Sequence, residues 1–314
     1  MRSVMTNPTK TIRHLEAPKT VREWLHRHRY SLCRHLTQVL VLLLFIGTAR
    51  WGWSVADQPL LDGTLSSSKI AGLLPLSDPF ALLQRFVAGH LPTVTALMGA
   101  LIVTVLYGVL SSRVFCGWIC PMNLVTELAD VCRRRLGFQA DVIRFDRRLR
   151  YAFAVVTLVA SAAMGTAAFE TVSPQALLWR DAIFGTGLWA LAAALGIFSL
   201  DLAVTRQGWC GHLCPLGAFW ALVGRLNPKP SITIHFDNSS CTRCGDCLRI
   251  CPESQIIRFK DLALTQQIPS GECLQCGRCI EICPESSLTF DLMSTIRQKQ
   301  KTFPKQGDYH EHIR

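Results

Sequence analysis

Two cysteine runs constrain this chain more than any other feature. Residues 241–252 read C-T-R-C-G-D-C-L-R-I-C-P and residues 273–284 read C-L-Q-C-G-R-C-I-E-I-C-P, so each cysteine of the first run recurs 32 residues later. The spacing C-x2-C-x2-C-x3-C-P is the one with which bacterial ferredoxins hold [4Fe–4S] clusters. Three thiolates on a tight loop reach three irons of one cube, and the fourth points away and completes the other cube. Cys241, Cys244, Cys247 and Cys283 are therefore expected to hold one cluster, and Cys273, Cys276, Cys279 and Cys251 the second. Zinc is the competing use of clustered cysteines, but it is normally met by two Cys pairs or by Cys with His. Apolar runs at Ser231–Phe236, Ile256–Phe259 and Leu288–Phe290 read as small strands, which gives an α+β ferredoxin-like unit over residues 231–292.

The rest of the chain has a different character. Hydrophobic residues make up 49% of the 314 and charged residues 18%, too apolar for an ordinary soluble domain. No Asp, Glu, Lys or Arg occurs in Phe86–Ser112, Tyr151–Phe169 or Ala182–Leu200. A membrane helix needs roughly 20 predominantly apolar residues. Spans are expected at about 36–56, 92–112, 151–169 and 182–204, the first with Arg50 able to snorkel beside Trp51 and Trp53. The first segment starts too late for a signal peptide and lacks a small-residue cleavage site. The expected fold is an α-helical membrane protein with four transmembrane helices and a small C-terminal α+β domain holding two [4Fe–4S] clusters. An N-terminal arm covers 1–35, the membrane domain 36–230 and a flexible tail 293–314.

Basic residues give the orientation. Lys and Arg number eight in 1–35, two in 57–91, eight in 113–150, one in 170–181 and thirteen in 205–314. This high–low alternation places both termini and the ferredoxin unit in the cytoplasm of a bacterial inner-membrane protein. The net charge of +11 then reflects orientation and contact with anionic lipid. A nucleic-acid role would need basic residues interleaved with aromatics on one surface, and no such pattern is present.

Two further motifs, Cys116-Gly-Trp-Ile-Cys120-Pro121 and Cys210-Gly-His-Leu-Cys214-Pro215, sit where the second and fourth apolar segments end. In a reducing compartment these are not structural disulfides. The thiols of each pair, four residues apart, share one helical face. The second motif and its preceding helix follow the first by 94 residues, so the membrane half reads as two helix pairs related as parallel repeats. Such a repeat can bring the four thiols together as a redox or cofactor centre; the alternative is that small soft residues merely pack there. Cys33 and Cys132 stand alone and read as packing residues.

Four apolar spans, two C-G-x-x-C-P motifs and a double [4Fe–4S] block resemble the NapH family, the membrane ferredoxin-type subunits linked to periplasmic nitrate reductase. The resemblance covers nearly the whole chain. It includes "PLSDPFALLQRFVAGHLP" at 75–92, "SSRVFCGWICPMN" at 111–123 and "GWCGHLCPLGA" at 208–218. It implies a component of a quinol dehydrogenase rather than a stand-alone enzyme. Electrons would pass from the quinol pool, with a periplasmic ferredoxin-type partner, NapG, toward a c-type cytochrome, NapC, and nitrate reductase. Accessory ferredoxins of cytochrome oxidase, which reduce or deliver metal during assembly, share the cysteine motifs. They carry an additional β-rich domain after the clusters, whereas 31 residues follow Cys283 here.

Quinol oxidation releases two protons as well as two electrons, so an acceptor must lie near the quinol head. Asp201 is the foremost candidate, an acid at the inner end of the fourth segment; pairing with Arg206 is its structural alternative. His90, His212 and Glu170 are the others. His90 follows Ser77-Asp78-Pro79, which reads as a helix cap with proline in the first turn, opening an amphipathic segment Pro79–Ala88. The charge pattern puts the clusters inside, while the acceptor implied by the resemblance lies outside.

Overall fold

The computed structural model describes residues 20–292 except 56–57, 65, 139–140, 144, 186, 228–229 and 270. Most of the expected arm and all of the tail lie outside the described residues.

One helix, Arg29–Trp51, is long and apolar enough to cross a membrane. It starts earlier than the expected span because the end of the arm continues it, and it stops at Gly52, whose φ of 67° lies in the left-handed region. The other three expected spans are shorter helices: Val94–Leu110, Leu149–Met164 and Leu188–Val204. Their ends explain this. Thr93 caps the first by accepting the Ala96 N–H, and Gly165 stops the second at φ 64°. The fourth segment is broken, since residues 182–184 belong to the helix Pro174–Phe184, which ends at Gly185. At 1.5 Å per residue, 17 residues cover about 26 Å, less than the ~30 Å of a hydrocarbon core. The expectation of four full-length spans is thus met by one helix of crossing length among the described residues. The shorter helices still turn large apolar side chains outward, among them Leu101, Val105, Val155, Val159, Leu191 and Leu195.

The first expected outer loop contains a sheet that no local sequence pattern marks. Strands Leu61–Thr64, Ser67–Ile70 and Leu74–Ser77 pair antiparallel, with Leu61 opposite Ile70 and Ser67 opposite Ser77. The helix Pro79–Val87 follows, capped by Asp78, whose Oδ1 accepts the Phe80 N–H at 2.9 Å.

The repeat is visible in the backbone. Helix Val94–Leu110, π turn Phe115–Ile119 and helix Met122–Arg135 are matched by Leu188–Ser199, π turn Gly208–Leu213 and Pro215–Leu226. The second copy carries an extra π turn at Leu200–Val204.

In the C-terminal unit, strands Ile232–Phe236 and Leu288–Leu292 pair antiparallel, Ile232 opposite Leu292. The expected strand at Ile256–Phe259 is instead a 3-10 turn, Ser254–Ile256, leading to the helix Phe259–Thr265. Ile256 and Ile257 are buried in the core with Ile234, Phe236, Leu262 and Leu288, so their β-branched side chains fill the interior rather than a ladder.

Arginine–carboxylate contacts hold the two halves together. Arg113 donates to Glu253 at 2.7 Å, Arg147 also pairs with Glu253, and Arg150 reaches it at 3.4 Å. Arg150 pairs with Glu272, which accepts from Arg225 and from the Tyr151 hydroxyl at 3.0 Å each. Ser31, near the start of the long helix, donates through N–H and Oγ to Glu281. Gly224 and Gly271 touch so closely that a methyl group on Gly224 would meet the Gly271 Cα at 2.7 Å. In the sequence, Arg113, Arg147 and Arg150 count only as orientation charges; in the fold they are the clasp between the halves.

Candidate iron–sulfur site

Two small cavities lie in the C-terminal unit. One is bordered by Cys241, Cys244, Cys247 and Cys283, the other by Cys251, Cys273, Cys276 and Cys279. Each thus draws three cysteines from one run and the fourth from the other. Gly245 and Gly277 adopt φ of 85° and 75° where the loops turn into short helices, conformations that cost glycine little. The sulfurs in each cavity sense one another. Burial, then Cys244, Cys241 and Cys283, push the Cys247 thiol up to about 12, and burial and Cys276 do the same for Cys273. Buried thiols of this kind ionise only against a cation, as metal ligands do. Four cysteines border each cavity, the ligand number of a [4Fe–4S] cube.

The two cavities differ in exposure. Cys273, Cys276 and Cys279 are buried, whereas Cys241, Cys244, Cys247 and Cys283 are half-buried. The buried loop rests on the first π turn: Trp118 Nε1 donates to the Gln275 carbonyl at 2.9 Å, and Gly117 is packed on the Leu274 carbonyl with no room for a side chain.

Cys116, Cys120, Cys210 and Cys214 lie in and behind the two π turns. The expected helical face is thus built with one residue more per turn, and Cys120 N–H reaches back to the Phe115 carbonyl at 3.0 Å, Cys214 N–H to Trp209 at 2.9 Å. Burial pushes all four thiols up, and one thiol of each pair, Cys116 and Cys214, packs against the same buried cluster of Phe80, Phe169, Leu216 and Trp220. Cys120 Sγ contacts Gln175 Oε1 at 3.7 Å and Cys210 Sγ contacts Thr126 Oγ1 at 3.9 Å.

Asp201 is buried in the extra π turn, where its Oδ1 accepts the Trp209 N–H at 3.0 Å. Arg206 pairs instead with Asp130, at 2.7 Å. Asp201 therefore braces the turn that carries Cys210. Asp201→Ala is expected to lower the melting temperature, because it strands a buried N–H at about 1–3 kcal/mol. Asp201→Asn, which keeps that acceptor, is expected to leave stability unchanged, so that the pH profile of electron uptake in this variant tests Asp201 as a proton acceptor. His90 is exposed past the end of the Pro79–Val87 helix, and His212 is buried with Nδ1 3.2 Å from the Gln207 carbonyl.

A cavity of about 690 Å³ lies between the outer-loop sheet and the first π turn. Of the acceptor candidates only Glu170 lines it; Asp78, which in the sequence reads only as a cap, lines it too.

This arrangement defines a ferredoxin-type iron–sulfur protein in which a helical half carries a two-cluster domain. A family model described as "4Fe-4S dicluster domain" matches residues 233–284, and one described as "4Fe-4S binding domain" matches twice, at 92–139 and 186–233. The chain is 41% identical to "Ferredoxin-type protein NapH" of Escherichia coli K12, over 75% of this chain and 79% of the relative. It is 42% identical to "Methylamine utilization ferredoxin-type protein MauN" of Methylorubrum extorquens (74% and 78%) and 38% to MauN of Paracoccus denitrificans (79% and 84%). The chain belongs to the NapH/MauN family of ferredoxin-type proteins. No solved structure matches it.

Proposed function

We propose that this chain collects electrons from a membrane quinol and passes them through two [4Fe–4S] clusters, acting with a periplasmic ferredoxin-type partner, NapG, and a c-type cytochrome, NapC, toward periplasmic nitrate reductase. The observation that carries the reading is the crossed pair of four-cysteine cavities with the buried one seated on the cysteine-bearing π turn. Cys241, Cys244, Cys247 and Cys283 are the ligands of one cluster, and Cys273, Cys276, Cys279 and Cys251 those of the other. Such clusters, when bound, accept and release one electron at a time. Cys116, Cys120, Cys210 and Cys214 serve as redox or cofactor-holding thiols, the first pair on the turn whose Gly117 and Trp118 pack on the buried cluster loop.

Apolar outward faces on the helices Arg29–Trp51, Val94–Leu110, Leu149–Met164 and Leu188–Val204 support a multi-pass anchor in the bacterial inner membrane, spanning residues 36–230, with the cluster domain at 231–292 on the cytoplasmic side. The 690 Å³ cavity touches both the outer-loop sheet and the π turn, which supports a donor held between the two faces. Similar identity to NapH and to methylamine-utilization relatives supports a shared electron-collecting step with acceptors that differ.

Anaerobically purified protein, mixed with a short-chain quinol and the partner, is expected to show bleaching of its cluster absorbance. In the Cys116→Ser/Cys210→Ser variant, bleaching by quinol should fall by more than tenfold, while dithionite still bleaches the clusters. An unreactive wild type sinks the quinol reading, and a fully active variant removes these thiols from the path.

A further inference from the structure

The 690 Å³ cavity is within the range of small-molecule sites, and its wall is mostly apolar. Among the polar side chains on the wall are two carboxylates. Asp78 and Glu170 present carboxylates from two different segments. Ser66 Oγ donates to Glu170 Oε2 at 2.6 Å, while Glu170 Oε1 is buried with no hydrogen-bond partner. Trp179 and Trp220 also line the cavity, and their indole N–H groups are buried and unpartnered. A buried polar group without a partner costs about 1–3 kcal/mol, so three around one cavity call for a ligand that answers them.

The ligand must be largely apolar, must offer hydrogen-bond donors to carboxylates and must offer acceptors to indole N–H groups. A lipid-soluble aromatic diol that becomes a dione does both. Its hydroxyls donate when reduced, and its carbonyls accept when oxidised. Position agrees with chemistry: Phe115 and Ile119 of the first π turn form part of the wall, and the same turn holds Cys116 and leads to Cys120.

We propose that this cavity is the quinol site, with Asp78 and Glu170 taking the two protons and the Trp179 and Trp220 N–H groups holding the resulting quinone. The assignment rests on the quinol reading above and replaces Asp201 and His90 as proton acceptors. In the reaction both hydroxyl O–H bonds break, the protons pass to the two carboxylates, the C–O bonds become carbonyls, and two electrons leave singly for oxidised iron–sulfur clusters. The other titratable groups on the wall are Tyr107 and Arg180. Burial, then Glu170, push the Asp78 carboxyl up to about 7, and burial raises Glu170. Only the ionised form accepts a proton. Quinol oxidation is therefore expected to be slow at acidic pH, to rise as pH climbs through about 7 and to level off above it.

The test uses the full chain in detergent with its clusters and the ferredoxin-type partner, with decylubiquinol and reduced menadione as electron donors and their oxidised forms for equilibrium binding. Asn at position 78 still caps the Phe80 N–H and Gln at 170 still accepts from Ser66, so an Asp78→Asn/Glu170→Gln variant should keep its cluster spectrum. We expect it to bind quinone as wild type does, to reduce its clusters more than tenfold more slowly and to lose the rise near pH 7. Ala176→Phe, which fills the cavity from a buried wall position, should abolish quinone binding with the cluster spectrum intact. If either quinol reduces the wild-type clusters and both variants react and bind as wild type, the quinol reading stands and this cavity is not the site. If neither quinol reduces wild-type clusters that dithionite does reduce, the quinol reading itself fails.

Discussion

Glu253→Gln is expected to loosen the cluster domain from the helical half and to lower its melting temperature sharply. Glu253 is almost wholly buried, and its carboxylate faces Arg113, Arg147 and Arg150. Burial alone would favour its neutral form, but the three guanidiniums outweigh burial and hold its pKa below the ordinary carboxylate range. Neutralising it leaves like charges facing each other, with Arg113 and Arg150 each 1% exposed. Removing one partner of a buried ion pair costs about 3–5 kcal/mol, a large fraction of a domain's stability. The change should appear as early loss of cluster absorbance on heating and as faster proteolysis between Leu226 and Ser231. An unshifted melting curve would show that the contacts at Glu272 and Glu281 suffice.

The second large effect concerns ligand crossing. Cys251→Ser is expected to remove the cluster of Cys273, Cys276 and Cys279, although Cys251 lies in the other run. Double variants separate this from ligation within a run. With crossed ligation, Cys251→Ser/Cys273→Ser has the same iron content as Cys251→Ser alone, because both changes strike one cube. Cys251→Ser/Cys241→Ser should lose both cubes. Iron and acid-labile sulfide analysis reads the difference, and the reverse pattern would mean that each run ligates its own cluster.

Local rules make part of this fold and site legible in the chain of residues alone. The cysteine spacing dictates which thiols border each cavity, because the C-x2-C-x2-C loop is short and the fourth residue must face away. Asp78-Pro79 marks a helix start through capping chemistry that involves only neighbouring residues. Features that depend on distant residues are not legible in this way. Strands Leu61–Thr64 and Leu74–Ser77 contain Gly63 and Pro75 and lack a β-branched run, so nothing local marks them. Ile256-Ile257 does look like a strand, and burial around the cluster loops overrides that propensity. Arg113 and Arg150 can be counted in sequence, but their carboxylate partners lie more than a hundred residues away. The cavity has no sequence signature at all, since its carboxylates, indoles and apolar wall come from separate segments.

The paired π turns carry a consequence for divergence within the family. Each holds one residue that a regular helix has no place for, and a residue gained or lost turns everything after it by about 100°. A single-codon deletion inside 115–120 or 208–214 would swing the trailing cysteine and the helix behind it out of alignment with the other copy. Length changes can accumulate in the connecting loops, but within these two stretches the number of residues is itself part of the chemistry.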